Sequence, residues 1–522
     1  MSEGSVQALM AQGEAHAAGG EWAAAIASFE AVLATRPGDP AALLQLSYVE
    51  SLRGHYRRAR EYALQACGRV PRQPRVATEL LARLRTFNEG ERLLRFVDAL
   101  GPPAAIPIPL LLACAAQLSN LNRQQEAAAL IEEAARADPR YPPTLLARAQ
   151  VSMYMGRFDA ARADLEASRA KAPEIARTYW LWSNIRKAGQ GDNNVDAIER
   201  ELRRNGRTPA DAVLLAFALH RELDDLGDHP RAWQALETGC RLKRTQFAYE
   251  PRQTDSLFEA LRAWLPPKAA PASPSPLAAL PIFIVGMHRS GTTLLEQMLH
   301  GLHVEGLGEL YDFTSQMRYA TDHHCRGVID RTIVERAATT DLAQVGHGYL
   351  QGVRWRLGTR PFFSDKLPSN FLNLGFICAA LPSARILHLR RDPIEVCFSN
   401  LREPFSDANP YSYVQEELAH FHHHYTRLMA HWHVMFPGRT LDVEYRDLVS
   451  QPREVLRAVT GFCGMPFEEE MLDVANRTRA VSTASAVAVR GAVTSAAVPK
   501  WKPYEAQLAP LIRALAAEGP GA

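Results

Sequence analysis

Gly286, four intervening residues and then Gly291-Thr292-Thr293, in "PIFIVGMHRSGTTLLEQML" (281–299), is a spacing that holds an anion. "PIFIVG" is an apolar, β-branched run suited to a buried parallel strand, and "LLEQML" continues at helical spacing. The glycines therefore sit at a strand-to-helix junction, where backbone N–H groups and the helix dipole converge into a cradle for phosphate or sulfate. A nucleoside-triphosphate loop of this spacing places a lysine on the β- and γ-phosphates and the next hydroxyl on magnesium. Here Thr292 stands at the lysine position and Arg289 lies inside the loop, with Ser290 and Thr293 adding hydroxyls. An arginine fork with hydroxyls suits an anion of fewer charges and no metal.

Histidines are the other chemistry-bearing group. "HFHHHYTRLMAHWH" (420–433) puts His420 and His424 one helical turn apart, a spacing that can bind zinc. The run contains no acidic residue, and the apolar period Leu418, Phe421, Tyr425, Leu428 predicts a helix packed on a sheet, so these histidines read as solvated or packing groups and no metal is expected. The seven cysteines are scattered and never spaced as CxxC, which points to reduced thiols rather than disulfides or a zinc site. A net charge of +2 with no dominant Lys/Arg block argues against a nucleic-acid partner. The N-terminus has no basic-then-apolar leader, and the run "IPIPLLLACAAQL" is too short to span a bilayer. The expectation is a cytoplasmic chain with no membrane partner.

The elements before the loop repeat. Gly20, Gly54, Asn88, Asn122 and Gly156 are each 34 residues apart, and all are types that tolerate the left-handed backbone of a tight interhelix turn. Two residues later come Trp22, Tyr56 and Phe158; five later, Ala25, Ala59, Ala127 and Ala161; seventeen later, Pro37, Pro71, Pro139 and Pro173, which end a helix because proline cannot donate the backbone hydrogen bond. One unit is helix, turn, helix, stop, and it resembles the tetratricopeptide repeat. The expected organisation is a repeat array over 1–206, capping helices over 207–265, a Pro/Ala-rich linker over 266–280 and an α/β domain over 281–515.

A second motif gives the loop a context. "SARILHLRRDPIEVCFSNL" (383–401) reads as a strand followed by Asp392-Pro393 opening a helix, with proline at the first turn where its missing N–H costs nothing. Together "GMHRSGTTLLEQ" and this segment resemble sulfotransferases that use 3′-phosphoadenosine 5′-phosphosulfate (PAPS), specifically bacterial sulfotransferases fused to repeats and, more distantly, tyrosylprotein sulfotransferases. His288 departs from the proline common in that loop.

The resemblance implies an all-α solenoid followed by a P-loop-like parallel-sheet domain, a PAPS donor, and a hydroxyl acceptor, with a peptide or protein tyrosine recruited by the repeats as one candidate. It implies that Arg289, Ser290, Gly291, Thr292 and Thr293 hold the 5′-phosphosulfate, that Arg391 and Ser399 grip the 3′-phosphate, and that Tyr445 in "LDVEYRDLV" contacts the adenosine. Arg490 falls where a basic residue reaches the 3′-phosphate, with Ser482 or Ser485 nearby. Glu309 in "VEGLGELYDF" takes the place of the family's base, with Glu305, His300 and His303 as rivals, and Lys366 in "FFSDKLPSNF" that of the lysine on the bridging oxygen. Because an acceptor hydroxyl has a pKa of ~10 or above and a free carboxylate ~4.3, Glu309 is expected to be buried. Bland readings stand beside these: Arg391 pairing with Asp392 or Glu395, Lys366 with Asp365, and Tyr445 as a core aromatic. Tyr411 and Tyr413 either border the acceptor entrance or simply pack. The competing functions are a nucleotide or small-molecule kinase with an atypical loop, and a non-catalytic repeat scaffold that binds PAPS.

Overall fold

In the computed structural model, described here for residues 3–71, 73–267, 277–406, 409–474 and 499–517, the chain divides into two compact units. Arg490, Ser482, Ser485 and residues 268–276 of the expected linker lie outside the described residues.

The first unit combines residues up to Pro139 with Tyr311–Trp355. It begins with the helix pairs Glu3–Ala18/Trp22–Thr35, Pro40–Leu52/Tyr56–Ala66, Pro74–Thr86/Gly90–Ala99 and Ile108–Asn120/Gln124–Ala137. The turn residues Gly20, Gly54, Asn88 and Asn122 have φ of 76°, 84°, 57° and 62°, the left-handed backbone that their residue types favour. Ala25, Ala59 and Ala127 are fully buried, small enough to let paired helices approach closely. Helices Asp312–Thr321, Arg331–Ala337 and Leu342–Val353 join these repeats, although they come from the middle of the α/β sequence. Ser315 Oγ lies 3.0 Å from the Tyr56 hydroxyl and donates to Phe87 O at 3.2 Å, while Arg57 donates its backbone N–H to Asp322 at 2.8 Å. His324 stacks on Tyr56 at 5.9 Å.

The second unit combines Arg140–Leu310 with the chain from Arg356 onward. Its helix pairs Pro142–Tyr154/Phe158–Lys171, Ala176–Ile185/Val195–Leu202 and Pro209–Asp225/His229–Arg244 precede the helix Pro251–Ala263. Next comes a parallel sheet of β1 (Leu280–Gly286), β2 (Val304–Gly306), β3 (Phe362–Asp365), β4 (Arg385–Arg390) and β5 (Thr440–Glu444), in spatial order β2-β3-β1-β4-β5. Ile282, Phe283, Ile284 and Val285 of β1 are all fully buried, the near-continuous apolar run of a central strand covered on both faces. Burying each such side chain contributes roughly 1.5–3 kcal/mol. One face packs Ile282 and Ile284 with Leu387, Leu389 and Leu295, so the loop that follows β1 rests on a rigid floor. β1 lies between β3 and β4, and the crevice at the carboxyl ends of parallel strands, where the strand order switches, is where open α/β sheets place ligands. Among the described residues no helix is long and apolar enough to cross a membrane.

Candidate active site

All five strands contribute at that edge. The loop Met287–Gly291 follows β1, Glu309 follows β2, Lys366 follows β3, Arg391 follows β4 and Tyr445 follows β5, with Ser399 on the helix Pro393–Leu401 behind β4. Parallel register is what gathers residues up to 158 positions apart in sequence (Met287 to Tyr445) at one edge.

Backbone sterics shape the loop. Gly286 has φ of 154°, and a Cβ there would meet Leu389 O at 2.6 Å; Gly291, at φ 108°, would press a Cβ to 2.4 Å from the Tyr445 ring. Arg289 itself holds φ of 69°, a left-handed conformation costly for a residue with a Cβ and sustained here by its surroundings. Arg391 donates to Arg289 O at 3.1 Å, and Asn400 donates to His288 O at 2.7 Å. The loop of β1 is thus fastened to the segment after β4. The Ser290 hydroxyl is buried without a hydrogen-bond partner, and Thr292 and Thr293 are buried at the first turn of the helix Thr292–Leu299. An orphaned hydroxyl, two arginines and a helix N-terminus form a donor set that suits a phosphate or sulfate ester.

Arg289 donates to Ser399 Oγ at 3.4 Å, and the Arg391 guanidinium lies 4.5 Å over the Tyr445 ring. Arg391 also pairs with Glu395 at 3.0 Å, while Asp392 caps its own helix by accepting from Glu395 N. Arg289, Arg391, Ser399 and Tyr445 therefore form one cluster. Beside it opens a cavity of about 390 Å³ that Ser290, Arg391, His388, His422 and Tyr425 help to line. In its wall His388 donates from Nδ1 to Asp442 at 2.8 Å and accepts from the Tyr425 hydroxyl at 2.5 Å, with burial pushing the imidazole pKa down.

The other cluster is the pair expected to do chemistry. Lys366 Nζ meets Glu309 Oε1 at 2.6 Å. Lys366 is buried to 1% exposure and Glu309 is 37% exposed, so the burial expected for Glu309 is absent and belongs to its partner instead. The turn ahead of Glu309 is held by buried Glu296, whose Oε1 accepts from Gly308 N at 2.8 Å and Ser364 Oγ at 3.1 Å, while Lys366 N donates to Gly308 O. His288 sits close enough to feel Glu309, Lys366 and Arg289; burial, with the two cations adding, pushes its pKa down to about 4 against the pull of Glu309. Its Nδ1 is buried without a partner.

The rivals are engaged elsewhere. Glu305 pairs with Arg360, His300 accepts from Gly306 N, and His303 bonds Glu468. Tyr411 and Tyr413 are each 4% exposed, Tyr411 stacked on Phe421. Sequence reasoning passed over Glu296 and Asn400. Each is a buried polar residue on a helix that the sequence already tied to the site, Glu296 after Leu294-Leu295 and Asn400 next to Ser399, and that adjacency was the available signal. It also passed over Arg221 of helix Pro209–Asp225, which pairs with Glu403 at 3.2 Å; burial first, then Arg402 and Arg289, lowers its pKa to about 10.

The carboxyl edge of the parallel sheet thus presents a glycine-rich strand-to-helix loop, an arginine cluster and a Glu–Lys pair. Residues 281–469 match the model of the sulfotransferase family, which supports sulfuryl transfer as the reaction class. An uncharacterized protein of Aquifex aeolicus (strain VF5) is 27% identical over 413 residues, covering 76% of this chain; the chain spans about half that relative's length, 53%. Among solved structures, a sulfotransferase domain from the curacin biosynthetic pathway aligns at 18% identity over 45% of this chain and 98% of its own, with a TM-score of 0.27. A thermophilic TPR protein of Thermus thermophilus aligns at 24% identity over 41% and 98%, with a TM-score of 0.23.

Proposed function

We propose that the C-terminal domain moves the sulfuryl group of PAPS to an acceptor hydroxyl, and that the helical repeats recruit that acceptor, a tyrosyl peptide being the first class to test. The observation that carries the reading is the convergence of the anion loop, the Glu309–Lys366 pair and the Arg391–Ser399–Tyr445 cluster at the carboxyl ends of five parallel strands.

In this reading Ser290, Thr292, Thr293 and Arg289 hold the 5′-phosphosulfate, Gly291 allows its close approach, Arg391 and Ser399 hold the 3′-phosphate, and the Tyr445 ring lies along the nucleoside. Arg490 is the further basic group that the family resemblance adds. Glu309 takes the acceptor proton as the acceptor oxygen bonds to sulfur. The bond from sulfur to the bridging oxygen breaks, and Lys366 offsets the charge left on that oxygen, leaving 3′,5′-bisphosphate and the sulfate ester. Fixed charges and alignment are the main contributions a protein makes to so loose a transfer. His288, a neutral imidazole with an unpartnered nitrogen beside Glu309, is the second group able to accept the proton.

Calorimetric titration with 3′-phosphoadenosine 5′-phosphate, against magnesium ATP, tests the donor. Preferential binding of the bisphosphate is expected, with Arg391→Ala losing the bisphosphate far more than an analogue without the 3′-phosphate. Preference for magnesium ATP would put the kinase reading first. Binding without transfer of labelled sulfate to a broad acceptor panel, in wild type and Glu309→Ala alike, would leave the scaffold reading.

A further inference from the structure

The histidine run of the sequence gains a partner that its own segment lacks. His420 and His424 lie one turn apart on the helix Gln415–Met435, and Asp255 reaches them from the helix Pro251–Ala263. His420 Nε2 is 2.7 Å and His424 Nε2 2.8 Å from the same oxygen, Asp255 Oδ1, and the two nitrogens are 3.2 Å apart. We propose that Asp255, His420 and His424 form a binding site for one divalent transition-metal ion of the zinc class, which pins the helix Pro251–Ala263 to the helix Gln415–Met435.

The geometry is what three ligands of one ion show. Zinc bonds of about 2.0–2.2 Å in a tetrahedron set neighbouring donors about 3.3 Å apart. The two nitrogens already stand at that spacing, and the carboxylate needs to withdraw by about half an ångström, which a side chain 38% exposed at the start of its helix can do. Without an ion, both imidazoles would aim the same N–H at one oxygen, with two donors head to head at 3.2 Å. An ion turns that opposition into shared coordination of two imidazoles and a carboxylate, a donor set used for zinc and other first-row divalent metals.

Exposure of 33% at His420 leaves an entry path and room for water at the fourth position. His424, at 9%, is packed against Phe258 with ring centroids 5.0 Å apart, so the pin would add to an apolar contact already in place. Both Nδ1 atoms are buried without a hydrogen-bond partner. An outer hydrogen-bond partner on a ligating imidazole is worth about 10–100-fold in affinity, so this site is expected to bind more weakly than one whose two histidines are both so supported.

The other trio of this composition differs in one respect. His388, His433 and Asp442 also gather their ligand atoms closely, but both nitrogens of His388 are already bonded, one to Asp442 and one to Tyr425. That trio reads as a hydrogen-bond relay and serves as an internal comparison.

The test is metal binding by the full chain after chelator treatment, using zinc sulfate followed by calorimetry and elemental analysis. One equivalent per chain is expected, with affinity reduced at least tenfold in His420→Gln and in Asp255→Asn and unchanged in His433→Gln. No retained equivalent up to about 100 µM zinc, or an equivalent kept by His420→Gln and Asp255→Asn, overturns the site. Should either variant fold poorly when metal-free, X-ray absorption of zinc-loaded His433→Gln decides, since that variant removes a histidine from the comparison trio. Two imidazoles with oxygen neighbours support the proposal, and a shell containing sulfur refutes it.

Discussion

Replacing Glu309 by alanine and Lys366 by methionine removes the two halves of one ion pair, and those halves are unequally buried. Lys366 is 1% exposed and Glu309 37%, with 2.6 Å between Nζ and Oε1. Removing Glu309 strands an ammonium that water barely reaches; removing Lys366 strands a carboxylate that water can hydrate. Breaking a fully buried pair costs about 3–5 kcal/mol, whereas an exposed pair is worth about 0.2–1 kcal/mol. With one partner over a third exposed, Glu309→Ala should cost about 1–3 kcal/mol and Lys366→Met about 0–1 kcal/mol; the double variant should resemble Lys366→Met, since no charge is left buried. The two compact units make a single unfolding midpoint ambiguous, so the assay is native-state hydrogen exchange read on the amides of β1 and β3. Glu309→Ala should lose turnover by about 10²–10⁴-fold, as for a proton acceptor, with nucleotide affinity nearly intact, whereas Lys366→Met should lose turnover and weaken the bisphosphate as well. A Lys366→Met variant that loses as much stability as Glu309→Ala would refute the claim that Glu309 is what sustains the buried ammonium.

Gly291→Ala should weaken bisphosphate binding at least tenfold in calorimetry, because its Cβ would meet the Tyr445 ring that Arg391 overlies; unchanged affinity would remove Tyr445 from the nucleoside site. Glu296→Ala should lower turnover more than donor affinity and cost about 1–3 kcal/mol, since the Gly308 N–H and the Ser364 hydroxyl lose a buried acceptor; equal losses in turnover and affinity would deny it a role in placing Glu309. His220 accepts at Nε2 from Arg402 Nε at 2.7 Å, and burial, with Arg402 adding, holds its pKa at about 3, below the 6.5 of an unfolded histidine. The unfolded chain therefore takes up a proton that the folded one refuses. Stability from this group is complete above pH ~6.5 and falls as pH drops toward 3, by up to about 1.4 kcal/mol per unit. His220→Gln should flatten that slope by up to one proton when native-state hydrogen exchange, corrected for the intrinsic rate, is read on the amides of the helix Pro209–Asp225 between pH 6.5 and 5, and an unaltered slope would contradict the assignment.

Much of the fold was legible where residue type and local backbone are coupled. The 34-residue spacing of Gly20, Gly54, Asn88 and Asn122 identifies the interhelix turns because few residue types accept positive φ at low cost, and the structure has positive φ at each. The strand, loop and helix at 280–299 follow from a buried apolar run ended by two glycines, and at each glycine a Cβ would crowd a neighbour to 2.6 Å or closer. Of the expected site, Arg289, Ser399, Arg391 and Tyr445 stand together, as do Glu309 and Lys366. The burial of Glu309 was misjudged because exposure depends on what folds over a residue, and here it is Lys366 that the sheet covers.

What the sequence determined by itself was thus the local grammar: helix pairs and their turns, a strand leading into an anion loop, and the residue types that such a loop and its neighbouring motifs supply. Only the tertiary structure decided which distant residues meet. The order β2-β3-β1-β4-β5 brings Glu309 to Lys366, 57 residues away, and Arg289 to Ser399, 110 away. Packing carries Asp255 to His420, 165 away, and seats the helices after Tyr311 on the turn at Gly54–Arg57. Local preference acts through one residue's own sterics and is written at its position. Such meetings arise from burial summed over whole faces, to which every residue contributes a little and no single position announces the partner.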